Sequence, residues 1–401
     1  MITTALSPNL QNDDVWLSIR LLLQPWRWRR GETEQQLNTQ LHAYFGTEHI
    51  WAVNSGRTAL LLLLRSLKLS TNDEVLLQAF TCNAVCNPIQ WSGAKPVYVD
   101  IDAQTLNMSV IDLAKKITPR SKVIIIQHTF GQPADLTPLL DLAKQHQLIV
   151  IEDCAHALGA RYQNRLVGTF GDAAIFSFGR DKVISSVYGG AVLVSNPALA
   201  STVHSAIQAL PYPSRCWTWQ QLVHPLITTL SRYIPGLLWI AQRLRIISLA
   251  VSRGERMGQK PSYFPAKLPN SLAALALQQF KKLDLYNQHR LQLAKLYQQA
   301  LPSSLPWSDD SIWLRYSLLV DHPQAVFAQA KQAGMILGDW YWNVVVPVGV
   351  QLDQYGYVVG SCPVAERTAK QIINLPTHVR LSAKEANQVI AILKPLLASA
   401  L

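Results

Sequence analysis

The sequence lacks most of the features that mark specialised classes of protein. Among 401 residues there are five cysteines, Cys82, Cys86, Cys154, Cys216 and Cys362, and no CxxC pair. An odd, scattered set excludes a disulfide scaffold and a structural zinc site and fits reduced thiols in the cytoplasm. No metal site is expected. No stretch reaches the roughly 18 uncharged apolar residues of a spanning helix. The opening "MITTALSPNLQNDD" has no basic region followed by an apolar core, so no signal peptide is expected. There is no internal repeat and no low-complexity tract. No Lys/Arg run is long enough for a nucleic-acid tail, and nucleic acid is not an expected partner. Acids are scarce, 25 against 36 Lys and Arg, which leaves a net charge of +11. That balance points to phosphorylated ligands or an anionic membrane surface.

What is present is a globular composition, 49% hydrophobic and 15% charged, on a chain long enough for two domains. From about 31 to 196, helical and strand patterns alternate. "DEVLLQAF", "KPVYVDI", "KVIIIQHTF" and "LIVIEDC" read as strands. They are continuous apolar runs, as expected for a parallel sheet covered on both faces by helices. The expected organisation is an N-terminal basic and aromatic segment (1–30) and a large α/β domain (31–260) carrying a basic, apolar insertion at about 201–260. A bridging long helix (261–300) and a smaller C-terminal α+β domain (301–401) follow.

One lysine, Lys182, stands in "IFSFGRDKVISSVYGG", on the connection between two apolar runs. A buried ammonium is costly without a partner or a chemical role. Three other features converge on the same edge of an α/β sheet, where ligands bind. "NSGRTAL" opens a helix whose free N–H groups and dipole suit a phosphate, although such turns also simply cap helices. Asp153 ends a strand in "IVIEDCAHALGA", as a helix cap or as the holder of a fixed cation, with His156 three residues on. Ser177 lies five residues before the lysine. A lysine, a strand-end aspartate and a phosphate cradle together suit pyridoxal 5′-phosphate (PLP), with the lysine as Schiff-base former and the aspartate keeping the ring nitrogen protonated.

The order "SGRTAL", "GAKPVYVDID", "HTFGQPADL", "IEDCAHALGA", "VGTFGDAAIFSF…K", "GGAVLVSN" resembles the DegT/StrS family of PLP-dependent, fold type I sugar aminotransferases. The resemblance implies a mostly parallel central sheet with flanking helices and a homodimer. It also implies amino transfer, usually from glutamate, to a keto-sugar on a nucleotide. On it, Lys182 is the Schiff-base lysine and Asp153 the partner of the ring nitrogen. His156 lies near the ring hydroxyl, and Ser177, Gly56 and Arg57 lie at the phosphate. Arg57 replaces the family's Thr, pointing either to the phosphate or to solvent. Cys82 stands where an aromatic usually covers the ring, which implies weaker stacking or a cover from Phe80 or another segment. The "NYRM" segment is absent. "PAKLPN" replaces it, with Lys267 in the arginine's place. A dehydratase or lyase acting on a similar sugar, and a non-catalytic binding or regulatory protein, are the competing functions.

Residues 15–31 carry four arginines and no acid, and 201–260 carry seven Lys or Arg against one Glu. Tryptophans are interleaved with both. Such segments suit a peripheral position on an anionic membrane, at the inner face, which would admit a lipid-linked sugar. They equally suit burial against the domain or a dimer partner.

Overall fold

The apolar runs form a seven-stranded sheet in the computed structural model, which describes residues 2–4, 7–301 and 305–398. Its strands are β1 (Ile50–Val53), β2 (Glu74–Gln78), β3 (Lys95–Val99), β4 (Ser121–Gln127), β5 (Ile149–Asp153), β6 (Ala173–Ser177) and β7 (Gly190–Val194). The order is β1-β7-β6-β5-β4-β2-β3. From β6 through β3 every pair is parallel, and β7 runs antiparallel to both β6 and β1. Because β7 is reversed, the connection from β6 returns along one edge. Ser177, the last residue of β6, pairs with Gly190, the first of β7. The twelve residues between them, Lys182 included, therefore stay at the carboxyl ends of β5 and β6.

Helix Gly56–Ser66 follows β1 and buries all five leucines of its run, Leu60 to Leu64. A helix buried on every side needs neighbours on every side. It packs against β6, β7 and the helices Asn83–Ser92 and Pro197–Gln208.

Beneath the site a buried carboxylate ties the loops together. Glu152 accepts N–H bonds from Gly168 (2.7 Å), Phe170 (2.7 Å) and Gly171 (2.9 Å), and faces His128 Nε2 at 3.2 Å. His128 Nδ1 accepts from the Ala134 N–H at 3.1 Å, so Nε2 carries the proton toward Glu152. Burial opposes the charge of Glu152, but His128 and the amides outweigh it and hold its pKa below the usual carboxylate range. Cys154 lies within ligand distance of this pair. The Glu152 and His128 donor atoms are already spent on the fold, so the cluster serves as a structural node.

The N-terminal helix Asn12–Leu22 lies against the helices Arg215–Leu230 and Asn270–Phe280, and Ser18 Oγ donates to Leu222 O at 2.6 Å. This helix is thus packed into the larger body, while Ile2–Thr3 pair in parallel with Met335–Ile336 of the C-terminal part. The expected bridging helix of 261–300 is two helices, Asn270–Phe280 and Leu283–Ala300, after a non-helical stretch over 261–269. Lys282 leaves helical geometry (φ −106°, ψ 5°), and its ammonium is held by Gln11 and Asp13. The turn redirects the second helix, so that Leu293, Ala294 and Tyr297 join a separate apolar cluster. That cluster belongs to the C-terminal part, where strand Tyr316–Leu319 pairs with Ile372–Leu375 and helix Ala383–Ala398 packs alongside. Among the described residues no helix is long and apolar enough to cross a membrane.

Candidate active site

A cavity of about 360 Å³ opens at the carboxyl edge of the sheet. Gly56, Arg57, Cys82, Asp153, His156, Ser177 and Lys182 all line it. Four separate chain segments are thus brought to one place by the strand order.

The floor is built for an anion. Ser55 caps its helix, accepting the Thr58 N–H at 3.0 Å, and the N–H groups of Gly56 and Arg57 have no partner among the described residues. Two glycines make this close packing possible. A Cβ on Gly56 would lie 3.3 Å from Ser177 Cβ, and one on Gly190 would lie 2.6 Å from Gly56 N. Free N–H groups, a helix N-terminus and the Ser177 hydroxyl therefore converge.

Above the floor the groups are dry and underused. Burial pushes the Lys182 ammonium below its usual pKa, against Cys82 and Asp153, which favour the charge. No hydrogen bond reaches its Nζ among the described residues. Burial raises the Asp153 carboxyl, against the Ala155 N–H, Lys182 and His128. Among the described residues one bond reaches that carboxylate, from Ala155 N–H to Oδ1 at 2.9 Å. His156 is held neutral by burial and by the nearby Lys182 and Arg315, and its Nε2 has no partner. A lysine, a carboxylate and an imidazole, each short of a partner in one cavity, are a site awaiting a ligand.

Arg57 turns away from both of its expected targets. Its guanidinium forms an ion pair with Glu255, whose side chain is fully buried, and lies 4.5 Å from the centre of the Phe264 ring. Burial opposes its charge, but Glu255 outweighs it and raises the pKa. Neither solvent nor the anion floor receives the side chain; only the backbone N–H faces the floor. Phe80 does not cover the cavity either. It is fully buried against Phe130 and Tyr341. The aromatic cover comes from Trp340, Tyr341 and Trp342. The Trp340 ring centre lies 5.9 Å from Lys182 Nζ and 6.1 Å from the His156 ring, nearly parallel to it. Lys267 is not among the lining residues and sits 5.6 Å from the Tyr212 ring centre.

The sequence profile of the DegT/DnrJ/EryC1/StrS aminotransferase family matches residues 12–394. The chain belongs to this family. It is 29% identical to the spore coat polysaccharide biosynthesis protein SpsC of Bacillus subtilis, over 90% of this chain and 88% of that one. It is 27% identical to the GDP-perosamine synthase of Caulobacter vibrioides, over 88% and 87%. The fold is that of DesV from S. venezuelae, solved with a ketimine intermediate, at a TM-score of 0.73 and 25% identity over 96% of this chain and 94% of that one. The protein is therefore a PLP-dependent sugar aminotransferase with the type I fold.

The residues present fit PLP. The floor offers donors to a phosphate, the unsatisfied Asp153 oxygen offers a counter-charge to a protonated ring nitrogen, and the Lys182 amine is free. Motif reading missed Trp340, Arg315 and Glu255. Arg315 is buried, its guanidinium lies 3.9 Å from the Trp340 ring centre, and its Nε has no partner. No local pattern marks these residues, because they reach the site from distant turns of the chain.

Proposed function

We propose that the chain moves an amino group from glutamate to a keto-sugar held on a nucleotide or lipid diphosphate, in the making of a cell-surface glycan, and works as a homodimer. The observation that carries this reading is the free, buried Lys182 amine facing Asp153 in a cavity covered by Trp340. The sugar-nucleotide half rests on the family and on the similarity to a GDP-perosamine synthase.

In this reading PLP, when bound, supplies the electron sink that makes the α-proton of the amino donor removable. The chain does the rest. Lys182 would hold the coenzyme through its amine, and as a buried base with a lowered pKa it would hold or move the proton of the donor α-carbon. Asp153 balances the positive ring nitrogen. His156, neutral, takes or gives a hydrogen bond at the ring hydroxyl. Ser177 and the N–H groups of Gly56 and Arg57 hold the phosphate. Cys82 would border the ring, and Trp340 would cover it and exclude water.

The surface around residues 230–245 rests on an anionic membrane at its cytoplasmic face. Tyr233, Ile234, Trp239, Ile240 and Leu244 are exposed there beside Arg232, Arg243 and Arg245. The one acid of the 201–260 stretch, Glu255, is buried on Arg57 and subtracts nothing from that charge.

The deciding experiment mixes the PLP-loaded protein with glutamate and a panel of nucleotide-linked keto-sugars. Aminated sugar and 2-oxoglutarate are the expected products. A deoxygenated sugar without new nitrogen would make it a lyase. No turnover at all, with glutamate failing to bleach the visible coenzyme band, would make it a binding protein.

A further inference from the structure

Beside the catalytic cavity lies a second, larger cleft of about 770 Å³, formed by the basic stretch after residue 214. Arg243, Arg245 and Arg253 line it, together with Trp217, Trp239 and Tyr263, and no acidic residue does. None of the three arginines forms an ion pair among the described residues. Three unpaired guanidinium groups around one concavity repel one another and concentrate positive potential where a ligand would sit. Trp217, Trp239 and Tyr263 add aromatic faces to the same wall. The cleft therefore offers donors and cation charge with no acceptor charge to match.

Its position ties it to the chemistry. Leu249 lines both the cleft and the catalytic cavity. Ser248, also on the cleft wall, accepts two bonds from Arg180, to its carbonyl at 2.7 Å and to its hydroxyl at 2.8 Å. Arg180 stands two residues before Lys182 on the same loop. The cleft wall is thus one hydrogen-bonded contact from the lysine loop.

We propose that this cleft is the seat of the diphosphate ester that carries the sugar substrate. The proposal rests on the aminotransferase reading and adds the carrier site. Guanidinium groups pair with phosphate oxygens through parallel N–H bonds and keep their charge at every working pH. A diphosphate brings two charged phosphates to three arginines. Two carriers share this chemistry. A nucleotide would arrive from solution and lay its base on Trp239, whose ring already has the Arg243 guanidinium 5.5 Å from its centre. A prenyl lipid would arrive from the membrane along the exposed apolar residues beside the cleft.

Calorimetric titration of the PLP-loaded protein tests it, with inorganic pyrophosphate, UDP and farnesyl diphosphate as probes. All three should bind, more weakly as salt rises. The double variant Arg243→Gln/Arg253→Gln should lose roughly tenfold or more in affinity, about 1.4 kcal/mol, while the visible band of bound coenzyme persists and shows the site intact. UDP binding tighter than pyrophosphate and weakened by Trp239→Ala supports a nucleotide carrier, and farnesyl diphosphate binding tightest supports a lipid carrier. If none of the probes binds, or if the double variant binds them as the wild type does, the cleft is not a diphosphate site. A wild-type band that glutamate fails to bleach would count against the aminotransferase reading instead, since the titrations do not depend on the donor.

Discussion

Arg57 and Glu255, 198 residues apart, form a buried ion pair that closes one side of the active-site cavity. Glu255 belongs to a short helix, Arg253–Arg256, that is pinned from several directions. Its carbonyl accepts from Asn83 and Asn87, both at 3.0 Å, and from Tyr355 at 2.7 Å. Its second carboxylate oxygen accepts the Ser252 N–H at 2.9 Å. Arg57 thus fastens the start of the helix Gly56–Ser66 to the segment between the two cavities. Glu255→Ala leaves a guanidinium buried without its counter-charge, and breaking such a pair costs about 3–5 kcal/mol. Urea denaturation should show that loss. The paired change Arg57→Thr/Glu255→Gln, which removes both charges, should recover most of it. Equal stability of Glu255→Ala and wild type would show that the pair holds nothing together.

Lys182→Ala should abolish amino transfer and leave the circular dichroism spectrum unchanged. Borohydride treatment of the wild-type protein should fix the coenzyme to the peptide containing Lys182. Label recovered on any other lysine would remove Lys182 from its role.

The depressed pKa of Lys182 has its own signature. Only the neutral amine is a nucleophile, and burial favours the neutral form below the ordinary lysine value of 10.5. The rate at which coenzyme-free protein recaptures PLP should rise with pH and reach half its maximum below that value. The same shift makes the folded apo-protein lose stability as pH falls and the buried amine must charge. A midpoint at or above 10.5 would place the amine in water.

Asp153→Asn should reduce turnover by roughly 10²-fold or more, the usual scale for removing one fixed electrostatic contact at a reacting centre. Asp153→Glu keeps the charge and should retain far more activity. The difference should be in kcat, since the ring nitrogen matters most when charge flows into the ring. An asparagine variant as active as the wild type would reduce Asp153 to a cap on the Ala155 N–H.

The strands and the Lys182 loop were legible because their signals are local. "VIII" and "IVI" are continuous apolar runs, and the short connection between "AAIFS" and "GAVLV" must return to the sheet edge. The partner of Arg57 was not legible. A helix-start arginine beside a phosphate cradle suggests a phosphate contact, and only the folded path of residues 248–258 shows that Glu255 takes the charge first. Trp340 escaped for the same reason, since Cys82 marks a missing aromatic without saying which segment replaces it. The single long helix failed at Lys281–Lys282, where helical propensity is unbroken and tertiary contacts with Gln11 and Asp13 decide the turn.

The exposed apolar residues near the cleft give the last prediction. Tyr233 is 80% exposed, Trp239 62% and Leu244 65%, which is unusual for large apolar groups placed so close together in sequence. Each arginine near an anionic surface contributes about 1 kcal/mol, less as salt rises, and apolar burial adds roughly 25 cal/mol per Å². Together these suffice for reversible attachment, so the protein should co-sediment with phosphatidylglycerol vesicles and be partly released by salt. Ile240→Asp/Leu244→Asp removes apolar contact and adds negative charge while leaving the cleft arginines in place. It should abolish co-sedimentation without loss of the coenzyme band. If instead the same change leaves vesicle binding untouched but turns a dimer into a monomer by light scattering, the patch is the subunit interface. A wild-type protein that ignores such vesicles at low salt removes the membrane from the picture.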